Sequence, residues 1–182
     1  MRQSSKTVIL DAALAVVSVP DGADITLDAV ARQAGLTKPG LMYHFPTREA
    51  LLLAIIEHAA GRMEAAMHDQ LRAWGVTFET ASAAQRVGAY AKVTATGDIS
   101  RAEYAIFTEA AYRPALTEPW TTRMAAWFAL PDDLPAAERA RLTLARLAAD
   151  GLWGAAATGV FPPAPRDHDA VLALIHDLTG TK

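Results

Sequence analysis

Ile25-Thr-Leu-Asp-Ala-Val-Ala-Arg-Gln-Ala-Gly-Leu-Thr-Lys-Pro-Gly-Leu-Met-Tyr-His-Phe-Pro-Thr-Arg-Glu-Ala-Leu-Leu-Leu-Ala-Ile-Ile56 reads as a short helix, a glycine turn, a second short helix and the start of a third. Thr26 is placed to cap the first helix with its hydroxyl, and Leu27, Val30, Ala31 and Ala34 follow at helical spacing. Gly35 stops that helix, because glycine accepts the left-handed backbone that a helix end often needs, and Thr37 is placed to cap the next one. Pro39 fits a first turn, where its missing amide costs no helical bond. Leu41 and Phe45, four apart, face inward, leaving Lys38, Gly40, Tyr43 and His44 outward. Pro46 ends the second helix, and Thr47 with Glu49 opens a long apolar one. This order of pieces is a helix-turn-helix, with a short second helix that suits a major groove of double-stranded DNA.

Ala34-Gly35-Leu36-Thr37-Lys38, Tyr43-His44-Phe45-Pro46 and Arg48-Glu49-Ala50-Leu51-Leu52 resemble the TetR family of bacterial transcriptional regulators. The resemblance covers roughly residues 6 to 56. Its pattern adds a preceding helix, which Lys6 to Val19 supplies, with Val8, Ile9, Ala12, Ala13, Val16 and Val17 on one stripe and Pro20-Asp21-Gly22 as its stop. Pro39 stands where most relatives have a small polar residue, and Met42 where many have Leu; both departures bear on which bases are read. A second stretch, Leu147 to Trp153 with Trp120 to Trp127, is similar to the ligand domain of an actinobacterial multidrug-sensing branch of that family.

The chain of 182 residues is 52% hydrophobic and carries a formal charge of −3, with no cysteine. That size suits one large domain or a small one joined to a larger one, and the lack of cysteine excludes disulfides and thiolate metal sites. No apolar run is long enough for a signal peptide or a membrane span, so a cytoplasmic location and no membrane partner are expected. Residues 1 to 62 hold six basic and six acidic side chains. Arg2, Lys6, Lys38 and Arg48 fall near the expected DNA side, whereas Asp11, Asp21 and Asp24 belong to the first helix and the turn after it. The balance predicts modest nonspecific affinity with strong salt dependence.

Beyond the head, residues 48 to 74 read as one helix, with Met63, Met67, Leu71 and Trp74 on a face. Helical patterning returns through Val87, Tyr90, Ala91 and Val93 until Gly97-Asp98; Ser100 and Glu103 then form a capping-box pattern for a helix to about Tyr112. Pro114 is read as a break, Thr117-Glu118-Pro119 as the start of a helix to about Leu130, and Pro131 to Pro135 as a linker. Ala136 to Thr158 and Asp167 to Thr179 complete the chain, with Pro162, Pro163 and Pro165 in the connection between them. The expected architecture is all-α, about nine helices: a helix-turn-helix DNA-binding domain in residues 1–50 and a ligand-binding and dimerisation domain in 51–182.

The expected DNA contacts are Thr26, Lys38 and Arg48 on phosphate, and Thr37, Gly40, Leu41, Tyr43 and His44 near base edges or backbone; Leu41 could instead belong wholly to the core. Met63, Met67, Trp74, Tyr104, Phe107, Trp120, Met124, Trp127 and Trp153 would, if they converge, wall a pocket for planar hydrophobic or cationic compounds. Glu64, Glu103, Glu109 and Asp150 are acids that could reach that wall. The same residues at helical spacing also describe an ordinary core. The last two helices carry surplus apolar surface in Ala148, Leu152, Ala155, Ala156, Val171, Ile175 and Leu178, to be buried within one chain or between two. The family resemblance implies the second: a two-fold homodimer that sets two heads on a palindromic operator in successive major grooves, about 34 to 36 Å apart, and a repressor released by a small-molecule effector. Rival readings are a regulator without effector, an activator, or a dimeric ligand-binding protein with a vestigial head. Enzyme chemistry has little support. The histidines at 44, 58, 68, 168 and 176 form no two-histidine metal pair, Glu64 with His68 suits a helix-surface contact, and no phosphate-binding glycine loop or nucleophile elbow occurs. No cofactor is expected.

Overall fold

A computed structural model of the chain describes residues 5–18, 25–95, 101–111 and 113–181. Arg2, Asp24, the stop at Pro20-Asp21-Gly22, the stop at Gly97-Asp98, the Ser100 half of the capping box and Tyr112 lie outside the described residues, as does the Glu109 side chain. The described residues form nine helices and no strand: α1 Ser5–Ser18, α2 Leu27–Gln33, α3 Lys38–His44, α4 Arg48–Ala73, α5 Ala83–Ala95, α6 Arg101–Ala110, α7 Pro114–Phe128, α8 Ala136–Thr158 and α9 Pro165–Thr179.

Local chemistry accounts for the boundaries. The Thr26, Thr37 and Thr47 hydroxyls accept bonds from the amides of Ala29, Gly40 and Ala50 at 3.1, 3.2 and 3.1 Å, each satisfying an amide that has no helical partner. Gly35, at φ 67°, supplies the left-handed turn between α2 and α3. Two starts come earlier than the sequence pattern suggests. α7 opens at Pro114, not Thr117, and α9 at Pro165, not Asp167, because proline at the first helical position gives up only an amide that would be unpaired anyway. Pro119 therefore sits inside α7, where the missing bond to the Ala115 carbonyl falls on an exposed residue that water can satisfy.

The described chain packs as two compact units. One runs through Gly61 and takes in α6 and α7 as far as Thr121; the other holds the rest, from Arg62 and from Thr122 onward. In the first, α1 packs on α2 and α6, and α2 on α3. Its core joins Ile9, Ala13, Leu14, Val30, Leu41, Phe45, Leu51, Leu52, Ile55 and Ile56 with Ala102, Ile106 and Leu116 from α6 and α7. Val8, expected on the inner stripe of α1, is exposed, and Leu14 takes an inner position instead. In the second unit α5, α8 and α9 pack on one another. Leu152 and Ile175 fill that packing, so of the surplus apolar residues these two are enclosed within the chain; Leu144, Leu147 and Leu174 are the leucines left exposed on α8 and α9.

Candidate DNA-reading surface and effector cavity

The helix-turn-helix is held rigid from beneath. Leu41 is wholly buried and Phe45 nearly so, which fixes the rotation of α3 and turns its other face to solvent. On that face Tyr43 is 85% exposed, its ring edge-on to His44 with centroids 5.2 Å apart. An aromatic side chain left so open has no packing role, and it suits contact with a groove. Gly40 has a steric reason: a Cβ there would come within 3.2 Å of the Thr37 hydroxyl that caps the helix. Thr26 and Thr37 use their oxygens as cap acceptors, which leaves each hydroxyl hydrogen available as a donor.

Arg48, at the start of α4, donates from Nε to the Ile25 carbonyl at 2.8 Å, tying the strand of chain before α2 to α4. Lys38 extends Nζ to Asp28 Oδ2 at 2.8 Å, linking α3 to α2. His58 of α4 meets Asp11 of α1 at 2.8 Å and ties a third pair of elements together. Thr26, Thr37, Lys38 and Tyr43 are exposed, with Gly40, His44 and Arg48 half-buried. Leu41 has no exposed surface and lies wholly in the core, the second of the two places the sequence allowed it. Asp28 was missed by sequence reasoning, since a partner ten positions away across a turn follows no helical spacing.

The aromatic and sulfur residues divide. Phe107 and Trp120 meet at 5.4 Å with planes tilted by 53° and line a cavity of about 240 Å³, counted with its mouth, together with Ile56, Ala59, Glu103, Ile106 and Thr117. All seven belong to the unit that contains the helix-turn-helix, and Ile56 and Ile106 are also part of its core. Tyr104 is half-buried on the same helix, outside the lining. Met63, Met67, Met124, Trp127 and Trp153 are buried in the other unit and make core there. Trp127 packs edge-on to His68 and Phe78 at 4.9 and 4.7 Å, and its Nε1 donates to Glu64 Oε1 at 3.3 Å. Glu64 also pairs with Arg123 at 2.5 Å.

Of the candidate acids, Glu103 is the one on the cavity wall, and it is 2% exposed. Asp150 instead accepts from the Tyr90 hydroxyl and pairs with Arg146 at 2.8 Å. Burial pushes both the Asp150 carboxyl and the Tyr90 phenol up, the latter strongly with the Asp150 charge adding to it. Among the described residues no cluster of three or more metal-ligating side chains occurs, and no helix is long and apolar enough to cross a membrane.

Comparison with known proteins agrees with both halves. Residues 9–55 match the profile of bacterial regulatory proteins of the tetR family, and residues 84–180 that of the tetracyclin repressor-like C-terminal domain. The transcriptional regulator EthR of Mycobacterium tuberculosis is 28% identical over 132 residues, covering 65% of this chain; the chain spans only about half of that relative, 54% of its length. Among solved structures, a transcriptional regulator from Rhodococcus sp. Rha1 is 18% identical with TM-score 0.66, covering 97% of this chain and 95% of its own. The multidrug binding protein EbrR in complex with ethidium is 20% identical with TM-score 0.62, covering 98% and 99%. At these identities the solved structures show the shared fold. The profile over residues 84–180 takes in more than half of the chain, and with the reader head matched separately this protein belongs to the TetR family of bacterial transcriptional regulators.

Proposed function

We propose that the protein is a cytoplasmic homodimeric repressor that occupies a palindromic operator and leaves it when a small hydrophobic compound enters the cavity beside Phe107 and Trp120. By role, the DNA-reading head is residues 1–50, and effector binding and dimerisation fall to residues 51–182. Thr26, Lys38 and Arg48 hold phosphate; Thr37, Gly40, Tyr43 and His44 face the groove.

The observation that carries the reading is that the cavity wall and the head's core share side chains, Ile56 and Ile106. Pockets for drug-sized ligands run to roughly 300 to 1,000 Å³. The enclosed space beside Phe107 and Trp120 is far below that, room for about one water, so such a ligand enters only if Phe107 or Trp120 swings aside. That movement strains α6, which packs directly on α1. The effector therefore favours a head geometry different from the one that fits DNA, and differential affinity for the two states is the whole of its action. The two rings select flat apolar compounds, and the Glu103 carboxyl favours those with a donor or a positive charge. EbrR has been captured with ethidium and with malachite green, which makes ethidium a reasonable first probe.

The test is fluorescence anisotropy on DNA from immediately upstream of the coding region against a scrambled duplex of equal length, with and without ethidium. Tight binding to the upstream duplex alone, reversed by ethidium in the parent and not after Trp120→Ala, is expected. Equal weak binding to both duplexes would point to the vestigial-head reading, and ethidium that saturates the protein without changing DNA affinity would end the effector assignment.

A further inference from the structure

The Lys38–Asp28 pair places an acid where the head meets a polyanion. Asp28 lies in the first turn of α2 and Lys38 at the first position of α3, and their side chains are 60% and 48% exposed. Among the described residues Asp28 is the only partner of the Lys38 ammonium. An ammonium is a compact point charge that takes any single oxyanion, so a carboxylate and a phosphodiester compete for it on equal chemical terms. Asp28 lies in α2 and Lys38 in α3, the two short helices capped by Thr26 and Thr37, so no large rearrangement separates the two choices.

We propose that Asp28 acts as an intramolecular stand-in for DNA phosphate: it holds Lys38 in the free protein and must surrender it on binding. This deepens the contact reading above, since it rests on Lys38 being a phosphate ligand. Binding then exchanges one ion pair for another and returns the half-exposed Asp28 carboxylate to water. The gain from Lys38 is reduced for every sequence alike, so the device sets the level of sequence-independent affinity and leaves base reading to Tyr43 and its neighbours. It also gives a physical reason for a helix-turn-helix whose chain segment carries equal numbers of acids and bases. Asp28 is in this sense a positioning residue for Lys38, with no contact to DNA of its own.

The experiment is a double-mutant cycle of Asp28→Asn and Lys38→Gln, with binding to a mixed-sequence duplex followed by anisotropy over a series of salt concentrations, and circular dichroism to confirm that each variant is folded. Exposed pairs have strengths that convert to at most about fivefold in affinity, so Asp28→Asn is expected to tighten binding by about threefold to fivefold. The slope of log affinity on log salt should steepen by up to about one unit, because Lys38 then arrives free to displace a counterion. In the Lys38→Gln background the same substitution should do little. An Asp28→Asn effect that persists undiminished with Lys38→Gln would mean simple repulsion and overturn the proposal. So would weaker or unchanged binding by Asp28→Asn alone. If Lys38→Gln changes nothing in either background, Lys38 touches no phosphate, and both the contact reading and this inference fall together.

Discussion

Two residues two positions apart on α3 have opposite duties, and substitution separates them. Leu41 is wholly buried, so Leu41→Ala leaves a hole in the small core of the head and costs about 2 to 5 kcal/mol; thermal melting should show an early loss of helix, and DNA binding should go with it. Tyr43 is almost fully exposed, so Tyr43→Ala should leave the melt unchanged and remove only recognition, about 1 to 3 kcal/mol on the preferred duplex. In the second unit, burial and the neighbouring Lys92 hold the His176 imidazole below its usual range, with Asp177 opposing them. Its Nδ1 is buried without a hydrogen-bond partner among the described residues. The fold thus prefers the neutral ring. That contribution is present above the unfolded value of about 6.5 and is lost as pH falls through the lower folded one. Melts of the parent and His176→Gln from neutral to mildly acid pH should converge as pH falls, the parent losing more; parallel curves would mean that the ring titrates as it does in the unfolded chain.

At the scale of elements, surroundings decide the sign of one chemical change. Gly61 lies in α4 with nothing within 4 Å of where a Cβ would stand, whereas at Gly88 in α5 a Cβ would be 2.6 Å from Thr181 Oγ1 and 3.2 Å from Thr179 Oγ1. Gly61→Ala should therefore stabilise by about 0.5 to 1 kcal/mol through helix propensity alone. Gly88→Ala gains the same propensity but must push the tail of the chain off α5 and disturb the Thr179–Thr181 hydroxyl contact of 2.6 Å. Its Tm should fall below that of the parent, and Tm values for the two alanine variants that rose together would refute the close approach. Capping follows the same logic. A threonine whose oxygen accepts a first-turn amide is worth about 1 kcal/mol to its helix, so Thr26 and Thr37 hold the shape of the head as well as standing on its DNA side.

At the scale of the molecule, the apolar residues that the chain leaves uncovered bear on assembly. Leu144 and Leu147 of α8 are 53% and 52% exposed, and Leu174 of α9 is 66% exposed. Three large leucines on two adjacent helices favour a face closed by a second copy, and an isologous contact of this kind would bring two heads to one operator. Leu147→Glu combined with Leu174→Glu is expected to give a folded monomer by sedimentation velocity, with DNA affinity reduced far more than that of either head's own contacts would require. The substitutions bury nothing within the chain, so a lost fold is not the expected result. A parent that sediments as a monomer would end the dimer reading, and a variant that stays dimeric would move the interface elsewhere.

Short stretches of chain control the features that were readable from residues alone. Helix ends at Thr26, Gly35, Thr37 and Thr47 follow from hydrogen bonds spanning three or four residues, and the inward placement of Leu41 and Phe45 follows from the 3.6-residue period; both were legible, as were the family and the all-α architecture. Proline was harder to read, since Pro114 and Pro165 open helices that a breaker rule would have ended. Which apolar residues line the cavity and which fill the core follows from packing across the chain. Phe107 and Trp120 line a cavity in the first unit, whereas Met63, Met67, Met124, Trp127 and Trp153 are buried in the second, although all lie on similar helical stripes. Burial on a stripe records that a side chain leaves water, and the identity of what it meets is set by the packing of elements far apart in the chain. The Lys38–Asp28 and His58–Asp11 contacts are invisible in sequence for the same reason: partners ten and 47 positions apart are joined by how helices dock, and no local spacing encodes that.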